Sequence, residues 1–423
     1  MKIFLDSIGC RLNQSEIEKM GMQFREAGHD LVASAAEADI VVVNTCAVTA
    51  AASADSRQKI RTAARSSEAK IVATGCYATI DPAAILNLPS VEHVLPNAEK
   101  DDLVLRVIGQ DNINLTSATT RIPLPGRQKR TRAFIKVQDG CDNHCTFCIT
   151  RIARGASRSV DAEEIFQDVE RALISGVKEI VLTGVNLGSW GSESGSSSSL
   201  AVLINEISVR FHPPRIRLSS LEPWDVDEGI ISVLSLPGFC QHLHLPLQSG
   251  SDEVLRRMAR RITCEEFEST ITRIRKASPH IAITTDVMVG FPGETDENFN
   301  ESVAFVRSMD FAGGHVFSYS LRPGTPAELL PDRVKPSLVK ERSRLMREAI
   351  EVSAENYRRR YLGQIVEALW EKSENKGKHW LMTGLSDNYV SVQAISNNNL
   401  YNQISRVKLL AIENNKMRGE IIS

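Results

Sequence analysis

The amino-terminal part of the chain alternates short apolar runs with longer amphipathic stretches. The apolar runs lie at residues 2–9, 39–45, 70–75 and 91–96, and the stretches of helical character lie at residues 14–26, 53–65 and 100–108. Short apolar runs of this kind are typical of strands that are buried on both faces of a parallel sheet. Because strands and helices alternate, we predict a parallel α/β domain over residues 1–125.

The same alternation continues from residue 133 onwards with six further strand-like runs. These runs lie at residues 133–137, 179–183, 215–219, 242–246, 281–289 and 315–320. Helical stretches between them include residues 162–174, 251–258 and 265–277. Six strand–helix units predict a partial (β/α)6 barrel over residues 133–355, and such barrels carry their chemistry at the carboxyl ends of the strands.

Two segments interrupt this alternation. The linker at residues 121–132 contains two Pro, one Gly and five basic residues, which fits both a solvated connector and a contact with RNA phosphates. The Gly- and Ser-rich run at residues 188–199 predicts a long flexible loop at the mouth of the partial barrel.

The last part of the chain changes in character. A charged helical stretch at residues 338–361 is followed by short alternating runs with Asn, Gly and Asp turns between them. These runs lie at residues 365–370, 379–383, 389–392 and 404–410. They predict a small antiparallel β-barrel over residues 360–423. Small barrels of this kind bind nucleic acid in some proteins and serve as interaction modules in others.

Composition and charge limit the class of protein. The 423 residues are 42% hydrophobic and 24% charged, as in ordinary soluble domains, and the formal net charge of −2 gives no global signal for nucleic acid. The first residues do not form a signal peptide, and no apolar run is long enough to cross a membrane. With eight Cys and no secretion signal, we predict metal or redox chemistry in a reducing cytoplasm.

Three closely spaced cysteines are the most informative motif. Cys141, Cys145 and Cys148, called here the loop thiols, stand in the sequence GCDNHCTFCI after the first strand of the second series. Three thiolates at this spacing suit an iron–sulfur cluster, and no fourth Cys follows until Cys240. One iron would therefore lack a protein ligand and could hold a substrate. His144, within the motif, is interpreted as a solvated loop residue.

A second set of cysteines follows three of the predicted amino-terminal strands. Cys10, Cys46 and Cys76, called here the N-terminal thiols, each stand at the end of an apolar run. The carboxyl ends of parallel strands meet at one edge of a sheet, so we predict that these thiols form a second site for a cluster with one open iron. Cys240 and Cys264 have no such partners and are interpreted as structural thiols.

The order of these motifs along the whole chain resembles the methylthiotransferases, a family of radical S-adenosylmethionine (SAM) enzymes. The motifs are GCRLN at 9–13, NTCAVT at 44–49, TGC at 74–76 and the loop-thiol motif. The resemblance implies two [4Fe-4S] clusters, SAM at the open iron of the loop-thiol cluster, and a carboxyl-terminal TRAM domain that contacts tRNA. It also implies a low-potential electron donor and a source of sulfur.

Further motifs resemble the MtaB-type branch of this family: ARGASRS at 153–159, LTGVNLG at 182–188 and RLSSLEP at 217–223. That branch converts N6-threonylcarbamoyladenosine, beside the anticodon in tRNA, to its 2-methylthio derivative. The alternatives within the family are isopentenyl-adenosine tRNA and an aspartate of a ribosomal protein. A non-catalytic iron–sulfur scaffold or RNA-binding module is disfavoured, because a scaffold gains nothing from two open irons.

The resemblance places SAM across the strand ends of the partial barrel. The residues predicted to bind it follow or belong to successive strands: Gly184, Asn186, Ser219, Glu222, Gln248, Ser249, Asp286 and Phe317. Trp190 and Trp224 could stack a splayed base, although burial is the commoner fate of Trp. The remaining His, Asp and Glu suggest no acid–base pair, and the hard chemistry is left to the cofactors.

Overall fold

The computed structural model describes residues 1–109, 122–126, 130–192 and 199–422. The predicted linker at 121–132 and the predicted loop at 188–199 therefore lie partly outside the described residues. The part of the linker that is described contacts the amino-terminal domain, since Arg25 donates to the backbone carbonyls of Ile122 and Pro123.

The amino-terminal domain is built on a five-stranded parallel sheet in the order β2-β1-β3-β4-β5. The strands are β1 (Lys2–Ser7), β2 (Asp30–Leu31), β3 (Ile40–Thr45), β4 (Lys70–Gly75) and β5 (Val91–Leu95). The helices are α1 (Arg11–Glu26), α2 (Ala50–Ser66), α3 (Cys76–Ile80), α4 (Pro82–Leu86) and α5 (Leu103–Ile108). All residues of β3 are buried, as its uninterrupted apolar sequence requires, and the predicted parallel α/β architecture is confirmed.

The second series forms two three-stranded parallel sheets, in the orders β10-β9-β6 and β11-β12-β13. The strands are β6 (Arg132–Lys136), β9 (Glu179–Thr183), β10 (Ile216–Leu218), β11 (His242–His244), β12 (Ala282–Val289) and β13 (Gly313–Ser318), with a short antiparallel pair, β7 (Gln138–Asp139) and β8 (Arg158–Ser159). Parallel bridges from Ile216 to Phe239 and from Ser220 to His244 join the two sheets into one six-stranded partial barrel, as predicted.

Eight helices accompany this partial barrel in the described part of the chain. They are α6 (Thr150–Arg154), α7 (Ala162–Ile174), α8 (Leu200–Phe211), α9 (Glu228–Val233), α10 (Asp252–Arg257), α11 (Cys264–Ala277), α12 (Asp296–Ser308) and α13 (Pro336–Arg359). Thr263 and Thr295 each form a capping box that fixes the start of α11 and of α12. None of the described helices combines the length and apolarity needed to span a bilayer.

The carboxyl-terminal strands close into a five-stranded barrel in the order β14-β15-β16-β18-β17. They are β14 (Ile365–Asn375), β15 (Trp380–Ser386), β16 (Ser391–Ser396), β17 (Ile404–Glu413) and β18 (Lys416–Ile422). The barrel is confirmed, with two corrections: β18 was not predicted, and it pairs in parallel with β16, while the other pairs are antiparallel. The barrel core surrounds Trp370, which is fully buried.

This small barrel covers the amino ends of the partial-barrel strands. Arg217, in the middle of β10, donates to the backbone carbonyls of Ser386 and Asp387 and pairs with Glu179 at 2.8 Å. Tyr389 stacks on His242, the first residue of β11, with ring centroids 4.0 Å apart. The small barrel therefore does not cover the carboxyl end of the partial barrel, where chemistry is expected. The amino-terminal domain and the loops lie at that end.

Candidate functional site

The N-terminal thiols stand at the carboxyl ends of three neighbouring strands. Cys10 is the residue before α1, Cys46 follows β3 directly, and Cys76 is the first residue after β4. Gly9 lies so close to Cys46 that a Cβ added to it would be 2.6 Å from the Cys46 sulfur. Burial and, to a smaller extent, the nearby thiolates of Cys10 and Cys76 raise the pKa of Cys46 to about 11. The three thiols thus meet at one sheet edge.

Asparagine side chains hold the loops around these thiols. Asn13 donates to the backbone carbonyls of Ile8 and Thr45 at 2.7 and 3.1 Å, and the Cys10 thiol donates to its Oδ1 at 3.7 Å. Asn97 donates to the Cys76 sulfur at 3.6 Å and to the backbone carbonyl of Ala153, in the partial barrel, at 2.7 Å. Hydrogen bonds therefore hold two of the three thiols, and Asn97 connects Cys76 to the second domain.

The loop thiols lie between β7 and α6. The chain enters the loop at Gly140, whose φ of +69° and contact with the Ala156 carbonyl exclude a side chain, since a Cβ there would be 1.8 Å from that oxygen. Burial and, to a smaller extent, the thiolates of Cys148 and Cys145 raise the pKa of Cys141 to about 11. The three thiols therefore share one short loop between β7 and α6.

Each loop thiol also receives one N–H donor. The backbone N–H groups of Asn143 and Thr150 donate to Cys141 and Cys148, both at 3.4 Å. The Arg260 guanidinium donates to Cys145 at 3.7 Å. Donors of this kind stabilise anionic sulfur and help to set the reduction potential of an iron–sulfur cluster.

The donor chemistry of both sites fits a cluster. All eight cysteines are free, and each set offers three soft sulfur ligands. Within the described ranges, no three His, Cys, Asp or Glu side chains are grouped to hold one metal ion. A cluster of four irons is larger than a single ion, so its thiols need not converge on one point. The loop thiols and the N-terminal thiols could each hold one [4Fe-4S] cluster.

A buried charge network joins the two sites. Arg154 of α6 donates to Glu16 and Asp139 at 2.9 Å and to Asn13 at 2.7 Å. Lys100 and Lys136 complete the network, since Lys100 pairs with Glu16 and Lys136 with Asp139, both at 2.8 Å. Glu16, Asn13 and Lys100 belong to the amino-terminal domain, whereas the other members belong to the partial barrel. The network therefore fixes one thiol set relative to the other.

Most residues predicted to bind SAM lie at the carboxyl end of the partial barrel. Buried polar atoms without a hydrogen-bond partner among the described residues are found on three of them: Asn186 Oδ1, Ser219 Oγ and Asp286 Oδ1. Buried polar atoms are nearly always hydrogen-bonded, so these three atoms are free to contact a polar ligand at this end of the barrel. This observation fits SAM.

The other predicted residues have partners of their own. A Cβ on Gly184 would lie 2.9 Å from Gln138 Oε1, so Gly184 permits the close packing of Gln138. Glu222 accepts two hydrogen bonds from Arg260, at 2.7 and 3.3 Å. Gln248 has a φ of +73° and exchanges backbone hydrogen bonds with β12. Ser249 is buried and Phe317 is exposed.

The two tryptophans are both packed against protein. Trp190 is 8% exposed and donates to the Val160 carbonyl, so it belongs to the core and offers no free face to a base. Trp224 lies under the Arg260 guanidinium, 4.5 Å from the ring centroid. His144 is exposed beside Arg151. Cys240 is fully buried against Glu179, and Cys264 is half-buried at the start of α11.

Sequence reasoning missed two arginines beside the thiols. Arg260 connects Cys145 with Glu222, as described above. Arg322 follows β13 and is 9% exposed, and its Nε and Nη2 donate to no described residue. Burial lowers the pKa of Arg322, whereas the Cys46 thiolate opposes this change. Both residues lie in irregular segments, where a single sequence gives no periodic signal for a buried cation.

Comparisons with known proteins agree with these sites. The radical SAM superfamily model matches residues 135–306, and the model described as uncharacterized protein family UPF0004 matches residues 2–96. The chain is 36% identical to the threonylcarbamoyladenosine tRNA methylthiotransferase MtaB of Bacillus subtilis, over 96% of this chain and 92% of that protein. It is 37% identical to the MtaB of Thermotoga maritima, over 93% and 91% of the two chains.

A solved structure and a further relative extend the comparison. The radical SAM methyltransferase TsrM of Kitasatospora setae superposes with a TM-score of 0.58 at 17% identity, covering 78% of this chain and 77% of that one, which shows a shared fold. The tRNA-2-methylthio-N(6)-dimethylallyladenosine synthase of Acidothermus cellulolyticus is 34% identical over 88% and 77% of the two chains. The family matches imply SAM and a [4Fe-4S] cluster as cofactors. The chain belongs to the radical SAM methylthiotransferase family.

Proposed function

We propose that this enzyme modifies tRNA by methylthiolation of C2 of N6-threonylcarbamoyladenosine beside the anticodon. The observation that carries the proposal is the pairing of two three-thiol sites, which the network around Arg154 holds together. One site suits SAM cleavage and the other suits the supply of sulfur. The relatives named MtaB, which match nearly the whole chain, support the choice of substrate.

In this proposal, the loop thiols hold the cluster that binds SAM, and the N-terminal thiols hold a second [4Fe-4S] cluster. When bound, these cofactors supply one-electron chemistry strong enough to break an aromatic C–H bond, which no acid–base pair of side chains can do. A low-potential electron donor and a sulfur source complete the reaction. All cysteines are free, which fits a reducing cytoplasmic setting.

The protein's own residues bind, orient and exclude water. Asn186, Ser219 and Asp286 offer unpaired polar atoms to SAM, and Arg260 fixes Cys145 through its contact with Glu222. Arg154 and its partners form buried ion pairs that connect the two domains. The predicted domain limits of 1–125, 133–355 and 360–423 assign these tasks to two domains and leave the third to RNA contact.

A second candidate substrate is isopentenyl-adenosine tRNA, because relatives named dimethylallyladenosine synthases also match most of the chain. The alternative of a ribosomal-protein aspartate has no observation in its favour. The two tRNA candidates differ in the N6 substituent, which is an acid in threonylcarbamoyladenosine and a neutral alkenyl group in isopentenyl-adenosine.

The test is an anaerobic assay of the reconstituted protein with SAM, a reductant, sulfide and anticodon stem-loops that carry either base. We expect mass analysis of the nucleosides to detect 2-methylthio-N6-threonylcarbamoyladenosine and little product from the isopentenyl substrate. Preferential methylthiolation of the isopentenyl substrate would transfer the proposal to the second candidate. No methylthiolated nucleoside from either stem-loop, in a preparation that cleaves SAM, would refute a tRNA substrate.

A further inference from the structure

A basic groove lies beside α13 at the carboxyl end of the partial barrel, and none of its lining residues is a thiol. Its volume is about 380 Å³. Three cationic side chains line it, namely Arg333, Lys340 and Arg347, together with the hydroxyl-bearing Ser318 and Ser343. None of the lining residues is acidic, although the chain as a whole carries a net charge of −2. The groove is therefore a local concentration of positive charge.

These cations are available to a ligand. Lys340 and Arg347 are exposed and form no ion pair with a carboxylate in the described part of the chain. Arg333 donates to the backbone carbonyl of Glu328 at 3.1 Å and pairs with no carboxylate among the described residues. Other arginines of α13 are paired instead, as in the contact of Arg344 with Glu348 at 2.6 Å. The unpaired cations are thus those that face the groove.

The start of α13 adds to this field. The 24-residue helix begins at Pro336, which itself lines the groove, and no side chain caps its amino end. The amino terminus of a long helix carries a partial positive charge and favours anions. Helix dipole, cationic side chains and hydroxyl donors together form a site suited to phosphate oxygens.

The position of the groove indicates which phosphate would bind. Gly290 and Ser318, which follow β12 and end β13, place the groove at the carboxyl end of the partial barrel, the end that carries the loop thiols. The carboxyl-terminal barrel covers the opposite end, where its loops contact Arg217 and His242. An RNA that brings a base to the thiol sites therefore needs cations on this nearer surface.

We infer that the groove formed by Arg333, Lys340 and Arg347 binds backbone phosphates of the substrate RNA. The inference rests on the proposed tRNA substrate and deepens it by placing an RNA contact outside the carboxyl-terminal barrel. Phosphate contacts release condensed counterions, so each one adds to the salt dependence of binding.

The test compares the double variant Lys340→Gln/Arg347→Gln with Arg344→Gln, whose arginine is on the same helix but paired. Reconstituted full-length proteins are titrated with anticodon stem-loop RNA at several salt concentrations. Loss of two phosphate contacts is expected to reduce the slope of log K against log salt by about 1.4 and to weaken binding on the order of tenfold at 0.1 M salt. The Arg344 variant and SAM cleavage without RNA are expected to be unchanged.

Several results would overturn the inference. Equal slopes for the double variant and the Arg344 control would mean that no RNA phosphate binds the groove. Loss of SAM cleavage in the double variant would assign the groove to SAM instead. A second titration uses adenosine monophosphate, and affinity equal to that for RNA would make the groove a small-molecule phosphate site. If the wild-type protein binds no stem-loop, the proposed tRNA substrate is refuted, and the inference about the groove is refuted with it.

Discussion

Replacement of Arg154 by Gln tests the network that joins the two thiol sites. Arg154 is 4% exposed, and its guanidinium donates to Glu16, Asp139 and Asn13, the residues that flank the N-terminal thiols and the loop thiols. Gln keeps a polar group but removes the charge and most of the donors. Two carboxylates would then remain buried with less compensation.

The expected loss of unfolding free energy follows from the ion pairs that remain in the variant. Removing one partner of a buried ion pair costs about 3–5 kcal/mol. Glu16 keeps Lys100 at 2.8 Å, and Asp139 keeps Lys136 at 2.8 Å. We therefore expect Arg154→Gln to lose about 3 kcal/mol of unfolding free energy, which is the lower end of that range. Arg154→Lys, which retains the charge but reaches fewer acceptors, should lose roughly half as much.

The assay is urea denaturation of the wild type and of the Arg154→Gln and Arg154→Lys variants, followed by circular dichroism. The iron content of each protein is also measured after anaerobic reconstitution. Arg344→Gln serves as a surface control, because its exposed pair with Glu348 contributes at most about 1 kcal/mol. A loss below about 1 kcal/mol for Arg154→Gln would refute the reasoning. Equal losses for the Gln and Lys variants would show that charge is not what Arg154 contributes.

Four further predictions concern the clusters, acid stability and the small barrel. The reconstituted protein should hold about eight iron atoms, and Ala at all three N-terminal thiols should halve this while SAM cleavage continues; full iron content would contradict the second cluster. Ala at any one loop thiol should abolish formation of 5′-deoxyadenosine, which chromatography detects. Burial alone would raise the pKa of Glu179, but Arg217, Arg132 and Arg215 keep this pKa below 4.5. The contribution of Glu179 to the stability of the fold is therefore complete above pH 4.5 and is lost as the pH falls further. Urea midpoints measured from pH 7 to 3 check this, and the Glu179→Gln variant should depend less on pH. Removal of residues 363–423 should weaken RNA binding and also lower the melting temperature, because the buried Arg217 loses two carbonyl acceptors; equal RNA affinity in the shortened protein would make the barrel a stability module.

The sequence was sufficient for the architecture and for the positions of the cysteines relative to the strands. Uninterrupted apolar runs identify β3 and β4, and a Cys directly after each run predicts its place at the sheet edge. The alternation of strands and helices makes the strands parallel, and the carboxyl ends of parallel strands lie at one edge of the sheet. The same reasoning predicted the six strands of the partial barrel.

Contacts between distant residues could not be predicted in this way. Glu16 and Arg154 are 138 residues apart, and nothing in either local pattern indicates that they meet. The position of the small barrel at the amino ends of the strands depends on Arg217 and Tyr389, which are likewise distant in sequence. β18, with the sequence KMRGEII, was missed because its Gly and charges interrupt the alternation that marks a strand.

The most direct test of the central claim is nucleoside mass analysis of tRNA from a strain that lacks this gene. We predict loss of the 2-methylthio group from threonylcarbamoyladenosine, with the unmodified precursor accumulating. The wild-type gene should restore the group, whereas genes with Ala at the N-terminal thiols or at the loop thiols should not. Undiminished 2-methylthio-N6-threonylcarbamoyladenosine in the deletion strain, or its restoration by either set of Cys variants, would contradict the account.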